Sequence, residues 1–230
     1  MGRSKKLDSQ TSELLKQAEQ MLSNKQYIDA EITARKVIKK YPENIAANII
    51  LLKSAEAKNN VHGVLEIAEH ILTLEPKNTS ALQAKLQCLK VLEHHFLAIT
   101  VADQLLELQP DNVELLFSKG LFCLSAGKIE EAEQALLSCI QRNYDNSFVL
   151  LNLGHVYKAR GESSKASDYY KQFIESNADS YAVGYWSLAD LKDYKFSLEE
   201  SMRIEQLLKP QQNNSHVITI GNQALLMFAL

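Results

Sequence analysis

Pro42, Pro76 and Pro110 stand 34 residues apart, and Asn44, Asn78 and Asn112 follow them at the same interval. A fourth turn keeps the spacing at Asp145-Asn146, with Tyr144 where proline would fall. A fixed period of this length signals one small unit repeated along the chain. A unit so short cannot bury its apolar face alone and must stack on its neighbours. The period excludes a single closed core and predicts an array, whose default role is to hold another molecule rather than to carry chemistry.

Starting each unit after its asparagine divides the chain into 11–44, 45–78, 79–112, 113–146 and 147–180, preceded by a disordered stretch at 1–10. Each unit holds two helix-period stripes around a short polar break. In the fifth, Leu150, Leu153, Gly154 and Tyr157 share one face. Arg160-Gly161-Glu162 then interrupts, and Ala166, Tyr170, Phe173 and Ile174 make the second stripe. Gly120, Gly154 and Ala18 are small where paired helices cross, and Ala30, Ala98, Ala132 and Ala166 recur at one register of the second helix. A bulky residue at such a contact overpacks it. Gly127 and Gly161 suit a helix end that needs positive φ. The prolines cannot continue a helix, and Asn44, Asn78, Asn112 and Asn146 are good N-caps.

This pattern resembles the tetratricopeptide repeat (TPR) family over residues 11–180. It departs from the pattern at Leu52 and Leu86, which replace the small residue, at Val64, which replaces the alanine, and at Ala178, where proline would end the fifth unit. These put local crossing angles in question. The resemblance implies an all-α fold, with antiparallel helix pairs stacked into a right-handed superhelical solenoid and first helices lining the concave side.

Residues 181–210 read as a degenerate sixth repeat. A first helix begins at Tyr181, and a second at Ser197, an N-cap with Glu199 and Glu200 in its first turn. Residues 211–230 read as a polar loop and a terminal helix. The helix stops in the apolar run Leu226-Met227-Phe228-Ala229-Leu230, so it either closes the array or belongs to a chain that continues. The segments Tyr185-Trp186-Ser187-Leu188-Ala189-Asp190-Leu191-Lys192 and Tyr194-Lys195-Phe196, with the later Phe228-Ala229-Leu230, resemble the junction of bacterial TPR-containing sulfotransferases. In that family the array precedes a domain that transfers sulfuryl groups from 3′-phosphoadenosine 5′-phosphosulfate. The alternative is a sixth repeat that packs on the fifth.

Catalysis does not carry over. None of the eight glycines forms GxGxxG or GxxxxGK[ST], so no loop here cradles a phosphate. His94-His95 is the one histidine pair, at the break between helices, and adjacent residues do not share a face. No HExxH or Ser-His-Asp signature occurs. The expectation is no catalytic residue, no cofactor and no metal. Net charge is −3 with signs interspersed, which argues against nucleic acid. No apolar stretch approaches the ~18 residues of a membrane span. Cys88, Cys123 and Cys139 each sit in an apolar helical pattern and read as reduced core residues of a cytoplasmic protein.

The resemblance places the second, fifth, ninth and twelfth positions of each unit on the concave groove. These are Ala46, Ile49, Lys53 and Glu56; Ser80, Gln83, Gln87 and Lys90; Glu114, Phe117, Leu121 and Leu124; Phe148, Leu151, His155 and Lys158. The face is polar in the early units and apolar in the late ones. An exposed run of Phe117, Leu121, Leu124, Phe148, Leu151 and Tyr185 is too apolar to stay bare. It receives a peptide, packs on a carboxyl-terminal domain, or is buried between neighbouring helices. The chain reads as a protein-binding scaffold, the non-catalytic amino-terminal part of a bacterial sulfotransferase-like protein. The alternative is a stand-alone cytoplasmic adaptor that binds a peptide or protein in the groove.

Overall fold

The computed structural model describes residues 7–176 and 181–208, and among these all regular structure is helical. The helices are α1 (Ser9–Ser23), α2 (Tyr27–Lys40), α3 (Ile45–Ala57), α4 (Val61–Leu74), α5 (Thr79–Val91) and α6 (His95–Leu108). They continue as α7 (Val113–Ser125), α8 (Ile129–Gln141), α9 (Phe148–Ala159), α10 (Ser163–Ser176), α11 (Tyr181–Ala189) and α12 (Leu198–Leu208). The chain forms two compact units, Met1–Leu115 and Leu116–Leu230. In the first, α2 packs on α1 and α3, and α4 on α3 and α5. In the second, α9 packs on α8 and α10, and α10 on α11. Each is a stack of helix pairs.

The turns follow the 34-residue period in conformation as well as in sequence. Lys25, Asn59, Glu93, Gly127 and Gly161, one per unit, all have positive φ, between 54° and 77°. Each closes a Schellman motif. In the third unit, for example, His94 N–H donates to the Leu89 carbonyl at 2.9 Å and Glu93 N–H to the Lys90 carbonyl at 3.2 Å. The two glycines expected there therefore mark a demand that Lys25, Asn59 and Glu93 meet at a cost. Glu93→Gly removes a left-handed residue with a Cβ. It is expected to raise stability by ~0.5–1 kcal/mol, read as a higher urea midpoint at unchanged slope.

The proline turns use different chemistry. Tyr41, Glu75 and Gln109, each before a proline, leave the helical region, with φ between −132° and −135° and ψ between 66° and 88°. The residue in that register before Tyr144 is Asn143, which takes φ 54° instead. Without proline, α8 ends at Gln141 in a sixth Schellman motif. The next start shifts as a result. Asn44, Asn78 and Asn112 accept from the amides of Ala47, Ala81 and Leu115 at 2.8–3.1 Å, as N-caps do. Asn146 accepts from Phe148 instead, two residues on, and α9 begins one residue later than expected.

At the amino end the expected disordered stretch needs correction. Asp8 caps α1 by accepting from the Thr11 amide at 2.9 Å, so the helix begins at Ser9. Lys40 and Tyr41 also donate to this carboxylate, at 2.6 and 3.0 Å, and fasten the start of α1 to the end of α2. At the other end Ser197 and Glu200 form a capping box. Glu200 N–H donates to Ser197 Oγ at 3.2 Å, and Ser197 N–H to the Glu200 carboxylate at 2.8 Å. Residues 1–6, Ala178 and the loop and terminal helix expected within 211–230 lie outside the described residues.

The core explains the departures at Leu52 and Leu86. The first-helix register 18, 52, 86, 120, 154 reads Ala, Leu, Leu, Gly, Gly. The second-helix register 34, 68, 102, 136, 170 reads Ala, Ala, Ala, Leu, Tyr. All ten are buried. Where the first helix carries leucine the second carries alanine, and where the first carries glycine the second carries leucine or tyrosine. Leu52 and Ala68 share one core cluster. A Cβ at Gly120 would meet Leu136 Cγ at 3.0 Å, and one at Gly154 would meet the Tyr170 ring, its Cζ at 2.9 Å. In the second to fifth units one large residue faces one small one while the helix that supplies the large one changes; the first unit, Ala18 with Ala34, is small on both sides. Ala30, Ala98, Ala132 and Ala166 are fully buried, as the small-residue register predicts.

Candidate ligand-binding face

The expected groove residues separate by unit. In the amino-side unit Lys53 on α3 and Gln83, Gln87 and Lys90 on α5 are all exposed. Beside Lys53, burial pushes the Glu56 carboxyl above its ordinary range, and Lys53 only partly offsets this. In the carboxyl-side unit Phe117, Leu121 and Leu124 on α7 are half-buried. The Phe117 ring tilts against Tyr144, centroids 5.8 Å apart, so the tyrosine standing in for proline floors this side chain.

On α9 the face is built in two levels. Phe148 is 39% exposed and rests on the fully buried ring of Phe173, centroids 5.3 Å apart. Leu151, one turn on, is a core residue at 5% exposure, and Tyr185 on α11 is one at 2%. Both leave the exposed run expected for them, because α10 packs on both α9 and α11 and takes in their side chains. His155 is half-buried, with Nδ1 2.8 Å from the Tyr170 hydroxyl. Lys158 donates to Asp190. Burial, then the neighbouring Lys158, hold the His155 imidazole below the ordinary histidine range, with Asp190 opposing. Burial likewise raises the Tyr170 phenol, so it stays protonated.

Sequence reasoning passed over two features. One is a network beside this face. Glu133 accepts from the Tyr157 hydroxyl at 2.6 Å and from Arg160, and Tyr157 stacks on Tyr169, centroids 5.3 Å apart. It ties α8, α9 and α10 together. The other is an exposed apolar cluster at the α5–α6 turn, where Val91, Phe96 and Leu97 are each more than half exposed. In the same turn His94 stands at the N-cap position of α6 without a side-chain capping bond and is exposed, while His95 is half-buried with its Nδ1 lacking a hydrogen bond. The two do not converge on a common point.

Among the described residues no group of three metal-ligating side chains comes together, and no helix is long and apolar enough to cross a membrane. All three cysteines are buried thiols. Burial pushes the Cys139 thiol up to about 11 and, followed by Glu56, raises Cys88. All three are core residues.

The tetratricopeptide repeat family model matches residues 113–146 and 149–180, the fourth and fifth units. These are tetratricopeptide repeats. The same fold appears in solved structures. A tetratricopeptide repeat protein from Parabacteroides merdae has TM-score 0.68 and 17% identity, over 96% of this chain and 87% of that one. YrrB, described as a TPR protein with an unusual peptide-binding site, has TM-score 0.68 and 16% identity, over 74% and 88%. MamA has TM-score 0.63 and 17% identity, over 72% and 91%. At such identities these likenesses concern the TPR fold. A curated relative, the uncharacterized protein y4yS of Sinorhizobium fredii, is 32% identical over 101 residues. That match spans 44% of this chain and just over half, 56%, of the relative's length.

Proposed function

We propose that the chain is a TPR scaffold that holds a peptide or protein segment on the first-helix face of its carboxyl-side unit. The observation that carries this reading is Phe148, a large aromatic left 39% exposed on a floor of buried Phe173. A ring fixed from below and open above is an anchor site for an apolar side chain. Phe117, Leu121 and Leu124 on α7, all half-buried, are the further apolar groove positions of this unit. YrrB, with the same fold, is described as having a peptide-binding site, which supports the class of ligand. Lys53, Gln83, Gln87 and Lys90 form a separate polar face on the amino-side unit, suited to hydrogen-bonding and charged partners. Three buried thiols fit a reducing, cytoplasmic setting.

Phe117→Ser and Phe148→Ser together are expected to abolish capture of the partner in a pull-down with the full chain, with helicity unchanged by circular dichroism. Lost helicity would make these residues core and end the proposal. A narrower reading, an array set before a sulfuryl-transfer domain, rests on the sequence resemblance of residues 181–230. Reading the coding sequence past Leu230 tests it. A phosphate-loop motif supports that reading, and a stop codon ends it in favour of a stand-alone adaptor.

A further inference from the structure

His155 lies two helical turns from Phe148 on α9, on the same face. Its ring stands edge-on to Tyr170, centroids 5.4 Å apart, with Nδ1 at 2.8 Å from the phenol oxygen. Tyr170 is fully buried in the space that Gly154 leaves open. The packing that closes the α9–α10 pair therefore also fixes the imidazole. The charged and titratable groups around it are Lys158 on α9, Tyr170 on α10 and Asp190 after α11. Lys158 is already engaged by Asp190, so no uncommitted positive charge stands beside the ring. Burial disfavours the charged imidazole, and in the tautomer where the Tyr170 hydroxyl donates to Nδ1 the ring proton lies on Nε2. Nε2 makes no hydrogen bond with any described residue.

We propose that His155 is the polar contact of the Phe148 face and selects an uncharged carbonyl beside a large apolar side chain, as in a peptide backbone, over a carboxylate. This rests on the ligand-face reading above and gives it a ligand chemistry. A neutral N–H satisfies a peptide carbonyl on desolvation but leaves a carboxylate's charge uncompensated, and the Lys158–Asp190 pair beside it adds no net positive charge. The anchor ring and the donor share one helix face, so one ligand meets both.

The test uses the full chain and two small probes, N-acetyl-phenylalanine amide and N-acetyl-phenylalanine with its free carboxylate. Ring signals of Phe148 and His155 are followed by NMR, and the imidazole nitrogen shifts report the tautomer. The expected result is an Nε2–H tautomer and an amide probe that shifts both rings, binding about threefold or more tighter than the carboxylate, the worth of one hydrogen bond. Tyr170→Phe keeps the ring beside Gly154 and is expected to give a tautomer mixture and a smaller preference. Equal or tighter carboxylate binding overturns the inference. So does a response at Phe148 with none at His155, although that outcome leaves the ligand face standing. No response at either ring overturns both.

Discussion

Gly154→Leu is expected to unfold much of the carboxyl-side unit. A Cβ alone would enter the Tyr170 ring, and that ring is fully buried and has no room to retreat. Overpacking at a helix crossing costs ~1–3 kcal/mol, and a whole leucine against an aromatic face belongs at or above the top of that range. Tyr170→Ala, the reverse error, leaves a cavity and is expected to cost ~3–5 kcal/mol. The informative variant is the double one. Gly154→Leu with Tyr170→Ala reproduces the arrangement of Leu52 and Ala68 in the second unit. It is expected to be more stable than either single variant, with a coupling of up to ~3 kcal/mol. Urea unfolding followed by circular dichroism gives the stabilities. Trp186, the only tryptophan, sits on α11 and reports the carboxyl-side unit by fluorescence. A double variant as damaged as the sum of the singles would show that the two registers do not trade volume.

Phe173→Ala is expected to cost ~3–5 kcal/mol, because the side chain is fully buried and supports both neighbours. Its ring floors Phe148, and a Cβ at Gly184 would meet its Cδ1 at 3.0 Å. Phe148→Ser, by contrast, is expected to cost about 1 kcal/mol or less, since over a third of that residue faces solvent. Both are expected to remove ligand binding, the first by lowering the floor and the second by removing the anchor. Thermal unfolding beside the pull-down separates the two effects. A Phe148→Ser variant as unstable as Phe173→Ala would place Phe148 in the core and take away the ligand face.

The turns were legible where they carry glycine. Gly127 and Gly161 announced a positive-φ position, and the 34-residue spacing transfers it to Lys25, Asn59 and Glu93, which composition alone would never nominate. The caps at Asn44, Asn78 and Asn112 were legible for the same local reason. Asn146 broke the rule because Tyr144 is not proline, which leaves Asn143 before it able to take positive φ. The ligand face was half legible. Of the residues that period assigned to the groove, Phe148 is over a third exposed and His155 half-buried, while Leu151 and Tyr185 are core. Register alone does not tell how far the next helix reaches over a side chain.

Helix number, turn conformation and the places where backbones approach closely were set by the sequence, because each depends on a few neighbouring residues repeated at one interval. Which partner helix fills each crossing, which apolar residues remain open to a ligand, and the hydrogen bond between His155 and Tyr170 were decided by tertiary structure. Those outcomes depend on volume shared between side chains 15 or 16 residues apart, such as Gly154 with Tyr170, and packing counts the pair rather than either member.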